Sequence, residues 1–326
     1  MPGKVGSDDL TRHVFERTGA PDDRVRQGPG LGEDAAAIDV PAGTLVVSSD
    51  PISLAASEIG RLGVAVACND VAASGAEPAW LTVVCLLPSD APDTLDVITA
   101  DLDAAAADIG AAIVGGHSEY VDALTRPILS LTALGFADPF VPTGGARPGD
   151  RVVLAGPAGL EGTAILAADF GESLDVSAET IDTANTFFSE ISVLPAARVL
   201  RERATAMHDP TEGGVLAGLV ELAAASDVEL SIERESIPIR PETGRLCAAA
   251  GVDPLRIFGS GALVATVPGD AVDEVVASLA ETGIDAADIG RVTTGERTGS
   301  VTLDGDTYEE PIEDGLYPLW EALDDA

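Results

Sequence analysis

The chain has 326 residues, enough for two ordinary domains, and is 46% hydrophobic with only 4% aromatics, so Ala, Val, Leu and Ile must fill its core. Acidic residues outnumber basic ones 55 to 18, a formal net charge of -37, which excludes a surface that attracts nucleic acid or anionic lipid. The acidity reads as a solvated surface suited to high salt, because at about molar ionic strength the Debye length falls to about 3 Å and self-repulsion fades. Cys68, Cys85 and Cys247 form no CxxC pair and sit among small or apolar neighbours, which points to buried thiols rather than a disulfide framework. His13, His117 and His208 are too few and scattered for a zinc site. No signal peptide and no apolar run of about 18 residues is found, so a cytoplasmic protein without a membrane span is expected.

In chain order, Leu10 to Arg17 predicts a short amphipathic helix, with Leu10, Val14 and Phe15 on one face. Thr44 to Ser49 predicts a strand, Ser57 to Ser74 a helix stopped by Gly75, and Trp80 to Leu87 a buried strand. Leu95 to Ile109 predicts a helix, Ala112 to Val114 a short strand and Pro127 to Phe136 a longer one. Turn-rich Thr143 to Asp150 marks a joint. The second half predicts strands at Arg151 to Ala155, Glu229 to Ile232, Ala262 to Val267, Ala287 to Val292 and Ser300 to Leu303. Its helices are expected at Gly162 to Ala168, Thr211 to Ala225, Pro241 to Ala249 and Ala271 to Glu281. Thr180 to Arg203 reads as one long helix or two broken at Pro195. The pattern is α/β with mixed sheets, divided into a tail and short helix over 1–27, an N-terminal domain over 28–143 and a C-terminal domain over 144–326.

Chemistry concentrates in six places. Gly28-Pro29-Gly30-Leu31-Gly32-Glu33-Asp34 is a glycine-rich loop ending in acids, which a solvated turn would also explain. Asp50 ends the first strand, a position where α/β proteins place site residues but also a turn signal before Pro51. Asn69 and Asp70 fall in mid-helix, where their propensity is poor, so they face either solvent or a site. Gly115-Gly116-His117-Ser118-Glu119 follows a strand and fits backbone passing close to a phosphate or metal, or a plain turn. Asp209-Pro210-Thr211-Glu212-Gly213-Gly214 opens a helix, with Asp209 as N-cap and Pro210 in the first turn, and such a terminus attracts anions. Two glycines there weaken the helix, which suggests something packs closely. Phe258-Gly259-Ser260-Gly261 is a further glycine-rich turn. Crowded carboxylates raise one another's pKa, so Mg²⁺ with a polyphosphate is the joint ligand they suggest.

Taken together, the Gly32-Glu33-Asp34-Ala35-Ala36 run, Ser49-Asp50, Asn69-Asp70 through Glu77-Pro78, Gly115-Gly116, Asp209 to Gly214 and Gly259-Ser260-Gly261 resemble the AIR synthase superfamily. That group includes aminoimidazole ribonucleotide synthetase, selenophosphate synthetase, thiamine monophosphate kinase and the HypE type of hydrogenase maturation protein. The Asp-Pro-Thr-x-Gly-Gly form is most similar to the HypE type. The resemblance implies a two-domain AIR-synthase-type fold, a homodimer whose N-terminal sheets pair, and ATP in a groove between the domains. It implies that Asp34, Asp50 and Asp70 hold Mg²⁺ and phosphates, with Asn69 assisting. Gly115, Gly116 and Ser118 would pass close to the nucleotide, and Gly32, Asp209, Thr211, Gly213 and Gly214 complete the cofactor-binding set. His117 stands where the family has an acid, and Glu119 is expected to substitute as the metal ligand. Lys4 is expected to reach over the site as part of a tail. Asp50, Asp70, His117 and Lys4 form the expected catalytic set. The HypE type ends in a cysteine-bearing tail that receives a carbamoyl group, whereas this sequence closes with Tyr317 to Ala326 and no cysteine, so dehydration on its own tail is not expected. The expected activity is ATP- and Mg²⁺-dependent phosphorylation of an oxygen on an unknown acceptor. The alternatives are a thiamine-monophosphate-type kinase and a nucleotide-binding regulator or scaffold without turnover.

Overall fold

The computed structural model describes residues 7–15, 17–53, 58–89, 94–294 and 297–324. The described chain opens with α1 (Ser7–Leu10), continued by a π-helical turn over Thr11–Phe15. Its residues form two compact units. The N-terminal unit is Asp22–Gly28 with Asp34–Phe140; the C-terminal unit is Val141 onward, together with Pro29–Glu33 and the described residues up to Pro21.

The N-terminal unit holds β1 (Val25–Gln27), β2 (Ala36–Val40), β3 (Gly43–Ile52), α2 (Ile59–Ala73), β4 (Ala76–Leu87), α3 (Thr94–Ile109), β5 (Ala112–Tyr120) and β6 (Ile128–Ala137). The six strands form one sheet in the order β1-β2-β3-β6-β4-β5. Only the β4–β5 pair is parallel. Alternation sets its two faces. Thr44, Val46 and Ser48 of β3 and Leu129, Leu131 and Ala133 of β6 are buried. They share a core with Val64, Val71, Ile98 and Leu102 of the two helices, apart from the polar Thr44 and Ser48. The opposite face leaves Trp80, Val84 and Phe136 exposed.

Several expectations for this unit change. β3 runs on to Ile52, so Asp50 lies inside the strand, opposite Leu131. Pro51 is tolerated there because β2 pairs with β3 only from Gly43 to Val47, which leaves one edge of the later residues unpaired. β5 extends through Gly115 to Tyr120, so the expected loop is an edge strand. β1 and β2 were not expected: Val-Arg-Gln and Ala-Ala carry little of the β-branched signal that marks strands. The expected helix start at Ser57 lies outside the described residues.

The C-terminal unit contains β7 (Arg151–Ala155), α4 (Leu160–Phe170), α5 (Ala178–Asn185), α6 (Leu194–Leu200), β8 (Ala206–His208), α7 (Gly214–Ser226) and β9 (Glu229–Ile232). α8 (Pro241–Ala250), β10 (Leu263–Val267), α9 (Val272–Glu281), β11 (Ala286–Thr293), β12 (Ser300–Leu303), β13 (Asp306–Tyr308) and α10 (Tyr317–Asp324) follow. The sheet order is β13-β12-β9-β11-β7-β10-β8, with β12 and β9 the parallel pair. Helix α7 is apolar nearly all round and correspondingly enclosed, with Val215, Leu216, Leu219, Val220 and Leu222 at 0–1% exposure. The expected helix over Thr180 to Arg203 is broken into α5, a 3-10 turn at Thr186–Glu190 and α6, which takes Pro195 in its first turn. Among the described residues no helix is long and apolar enough to cross a membrane.

Candidate nucleotide and metal site

In the N-terminal unit, α2 lays Asn69 and Asp70 against the sheet at 0% and 8% exposure, so neither faces solvent. The Ser48 hydroxyl, itself buried, hydrogen-bonds both the Asp70 carboxylate and Asp50 Oδ2, the latter at 3.2 Å. Ser48 and Asp50 are two apart on one strand and so share a face. A hydroxyl has one proton to donate, so Ser48 shares it between the two carboxylates. Two carboxylates beside a hydroxyl suit Mg²⁺, which takes one or two protein carboxylates and fills its octahedron with water and phosphate oxygens. Among the described residues no group of three or more His, Cys, Asp and Glu is arranged to hold a metal unaided. Asp34 is partly buried, two residues ahead of β2, at the end where Ala36 pairs with Val47 beside Ser48.

The structure does not bring His117 and Glu119 to this pair. Asp50, Leu131, Val83 and Gly116 form one row across β3, β6, β4 and β5. Three strand spacings, about 14 Å, separate its ends. His117 and Glu119 lie beside Val84 and Leu86, whose side of the sheet is opposite that of Val83. They pair with each other at 3.5 Å, both more than half exposed. Glu119 as a ligand shared with Asp50 and Asp70 within one chain is therefore corrected: it points from the other face, as does His117. Ser118 falls on the helix-bearing side, at the sheet edge. A Cβ on Gly116, whose φ is +153°, would stand 1.9 Å from the Val83 carbonyl oxygen, so strand pairing alone requires that glycine. Gly115 faces open space. Lys4 lies outside the described residues.

In the C-terminal unit the helix after the Asp-Pro-Thr motif begins three residues later than expected. Its N-cap is Gly213, left-handed at φ 81°, so Asp209 does not cap α7 and Pro210 is not in its first turn. A Cβ on Gly214 would meet the Leu255 and Ile257 carbonyl oxygens at 2.6 Å, so protein backbone fills the space beside it. The Thr211 carbonyl accepts from Gly214 N–H at 3.1 Å and from Gly259 N–H at 2.9 Å, which ties the two glycine-rich motifs together. Asp209 is 2% exposed, and its neighbour His208 holds Glu221 of α7 at 2.8 Å from Nε2. Gly32, at φ +71°, lies against the Glu221 backbone, where a Cβ would come within 3.0 Å of the carbonyl oxygen.

Sequence reasoning missed several groups around this loop. Asp314 is buried at 2% exposure and accepts from Gly213 N–H at 2.8 Å and Leu316 N–H at 2.9 Å. Burial pushes its carboxyl up to about 7, helped by the charges of Glu212 and Glu161 and opposed by the two N–H donors. Burial also raises Glu161, against hydrogen bonds from Ser260, and raises the Tyr317 phenol, which is hydrogen-bonded to Glu212. Ser48 had a sequence signal, its i,i+2 parity with Asp50; Asp314 had none. The thiols of Cys68 and Cys247 are pushed up to about 12 by burial, and that of Cys85 is raised by the same cause, so none is a ready nucleophile.

Residues 32–137 match the N-terminal domain of AIR synthase related proteins, and residues 147–302 match the C-terminal domain. The carbamoyl dehydratase HypE of Rhizobium leguminosarum bv. viciae is 31% identical over 273 residues, which span 80% of this chain and 77% of that protein. A crystal structure of the hydrogenase maturation protein HypE in complex with ATP superposes with a TM-score of 0.70 at 26% identity, covering 97% of each chain. The thiamine monophosphate kinase of Aquifex aeolicus superposes with a TM-score of 0.71 at 21% identity, covering 85% of this chain and 93% of that one, and shows a shared fold.

Proposed function

Because the chain belongs to the AIR synthase related family, we propose that it is a HypE-like enzyme that binds ATP with Mg²⁺ and transfers a phosphoryl group to an oxygen of its acceptor. The observation that carries this reading is the joining of Asp50 and Asp70 through Ser48. These two carboxylates would hold the ion, with Asn69 and Asp34 beside them. When bound, the ion supplies charge neutralisation on the phosphate oxygens. Phosphoryl transfer needs little else from a protein than positioning and electrostatic balance. α2 and β3 meet that need by holding both acids on packed elements, Asp70 buried and Asp50 partly exposed. The C-terminal loop from Asp209 to Gly214 is proposed to contact the nucleotide through Asp209 and Thr211. The acceptor belongs to the chemistry of an amide or acid oxygen that becomes a leaving group once phosphorylated, in keeping with the carbamoyl dehydratase relative.

A second reading, nucleotide binding without turnover, is favoured by one observation. His117 and Glu119 face away from Asp50 and Asp70, so the acid that the family pattern has after the paired glycines has no counterpart beside them. Single-turnover assays with γ-labelled ATP and Mg²⁺ in high salt separate the two. Release or transfer of label supports the enzyme; binding without cleavage supports the regulator; no binding removes both.

The exposed face of the N-terminal sheet supports a homodimer. Trp80 and Phe136 stack edge-to-face on it with ring centroids 5.9 Å apart, and Val84 lies exposed beside Trp80 on β4. The edge strand β5 is exposed along all nine residues, including Ile113, Val114 and Tyr120. An open edge beside an apolar face is a surface that a second copy covers.

A further inference from the structure

The N-terminus of α7 is where the sequence placed an anion. A helix start leaves backbone N–H groups without intrahelical partners and carries a partial positive charge. In the structure, the group that meets this terminus is a carboxylate of the protein itself. Gly213 has no side chain with which to cap the helix, and its N–H donates to Asp314 Oδ2 at 2.8 Å, from 101 residues further along the chain. The other oxygen, Oδ1, takes Leu316 N–H at 2.9 Å, so one carboxylate joins the loop to its own segment.

Further contacts make the same junction. The missing Cβ of Gly213 lets the Ile312 carbonyl oxygen come within 2.9 Å of the position that atom would occupy. Gly315 N–H donates to the Arg256 carbonyl at 2.6 Å, and Arg256 Nη2 donates to the Glu313 carbonyl at 3.2 Å. Tyr317 hydrogen-bonds Glu212, next to Gly213 in the loop. The Tyr317 ring packs against Trp320 and Phe258, at 5.8 and 6.2 Å between centroids. Gly259 N–H closes the circuit on the Thr211 carbonyl. Three segments, 209–214, 255–261 and 312–320, are thus one knot, and Asp314 is its buried centre.

We infer that Asp314 is a positioning residue for the Asp209–Gly214 loop: it occupies the α7 terminus in place of a ligand phosphate and fixes where Asp209 and Thr211 stand. A phosphate is then not held by the α7 terminus. The loop contributes through side chains and carbonyls whose placement depends on a distant carboxylate. Asn at this position keeps the size but offers one acceptor oxygen and an NH₂ group, which cannot accept the second N–H. The affinity part of this inference rests on the nucleotide-binding reading; the placement part does not.

The test is calorimetric titration of Mg-ATP into wild type and Asp314→Asn in molar KCl, at a temperature where circular dichroism shows both folded. Loss of one of the two buried hydrogen bonds that Asp314 accepts is expected to weaken binding about tenfold or more in the folded variant. Gly213→Ala, which breaks the junction from the other side, is expected to weaken it similarly. The double variant is expected to be no weaker than the weaker single one, because both remove the same unit. A general loss of stability would lower the melting temperature and leave the affinity of the folded protein alone. Wild-type affinity in folded Asp314→Asn overturns the inference, as do additive losses in the double variant. If Asp314→Asn does not fold, Tyr317→Phe keeps the ring packing while removing the Glu212 bond, and unchanged affinity there counts against the inference. If wild type itself binds no nucleotide, the functional reading has failed, and hydrogen exchange decides the placement. Faster exchange confined to residues 209–214 in the variant supports it; wild-type protection overturns it.

Discussion

Asp50 on β3 and Asp70 on α2, twenty residues apart in sequence, share the hydroxyl of Ser48 as a hydrogen-bond donor. Two neighbouring carboxylates on packed elements are suited to a cation. Asp70→Asn is expected to act far more on nucleotide affinity than on the apo fold. Mg-ATP affinity falls about tenfold or more, while apo stability changes by no more than about 1 kcal/mol, because Asn keeps the size of the side chain and an oxygen that accepts from Ser48. Calorimetry and denaturant unfolding read the two effects, and a loss of both affinity and stability would assign Asp70 to structure alone.

Gly115 and Gly116 separate sheet pairing from ligand approach. Gly116→Ala is expected to cost about 2–3 kcal/mol, because a Cβ 1.9 Å from the Val83 carbonyl forces β5 off β4. Gly115→Ala meets nothing within 4 Å and is expected to leave stability within about 0.5 kcal/mol. A change in nucleotide affinity for Gly115→Ala at unchanged melting temperature would mark the nucleotide path, and equal melting losses for the two variants would contradict the strand geometry.

Asp314 sets a pH dependence whose sign runs against ordinary acid denaturation. Its carboxyl rises from 3.8 to about 7 on folding, so between those values the folded chain keeps a proton that the unfolded chain has lost. The resulting stability is fully present below about pH 4 and is lost as pH rises through about 7. One group contributes a slope of at most about 1.4 kcal/mol per pH unit. The difference between wild type and Asp314→Asn, measured by guanidinium unfolding at fixed salt from pH 4 to 8, is expected to change across this window and to level off above it. A difference that stays flat removes the shift.

The exposed sheet face predicts a dimer that one charge can split. Val84→Glu places a carboxylate in the apolar face, 39% exposed in the single chain, and is expected to give a folded monomer by light scattering. A dimer that survives this change uses another surface.

Salt dependence follows from the net charge of -37. Melting temperature is expected to climb steeply between dilute buffer and molar KCl, as screening quenches self-repulsion, and to be insensitive to the choice between KCl and NaCl. A flat response would show that the acidic surface carries no net repulsion.

Much of the architecture was readable because hydrophobic pattern and burial coincide. Trp80 to Leu87, apolar apart from Thr82, lies within β4 and buries Leu81, Val83, Cys85 and Leu87, while Trp80 and Val84 on the other face stay exposed. Asn69 and Asp70 stood out because polar residues in an apolar helix need a reason, and the fold supplies one. Other features had no local signature. β2 opens on Ala36-Ala37, which favour no strand. The start of α7 was misplaced because Asp-Pro is a strong helix-opening signal, whereas the left-handed Gly213 that truly precedes the helix is set by the backbone packed around it. Asp314 reaches Gly213 across 101 residues, and the stretch around it carries no mark of that partner. The faces of β5 were hidden as well, since a strand read as a loop has no assigned sides.

The burial of Cys68, Cys85 and Cys247 has a practical corollary. With its native thiols inert, the protein offers a silent background for maleimide chemistry. A single cysteine placed on an exposed position, such as Val97 on α3 at 60% exposure, becomes the one site that takes a fluorophore or spin label. The label then reports on the native sequence, without first stripping out cysteines.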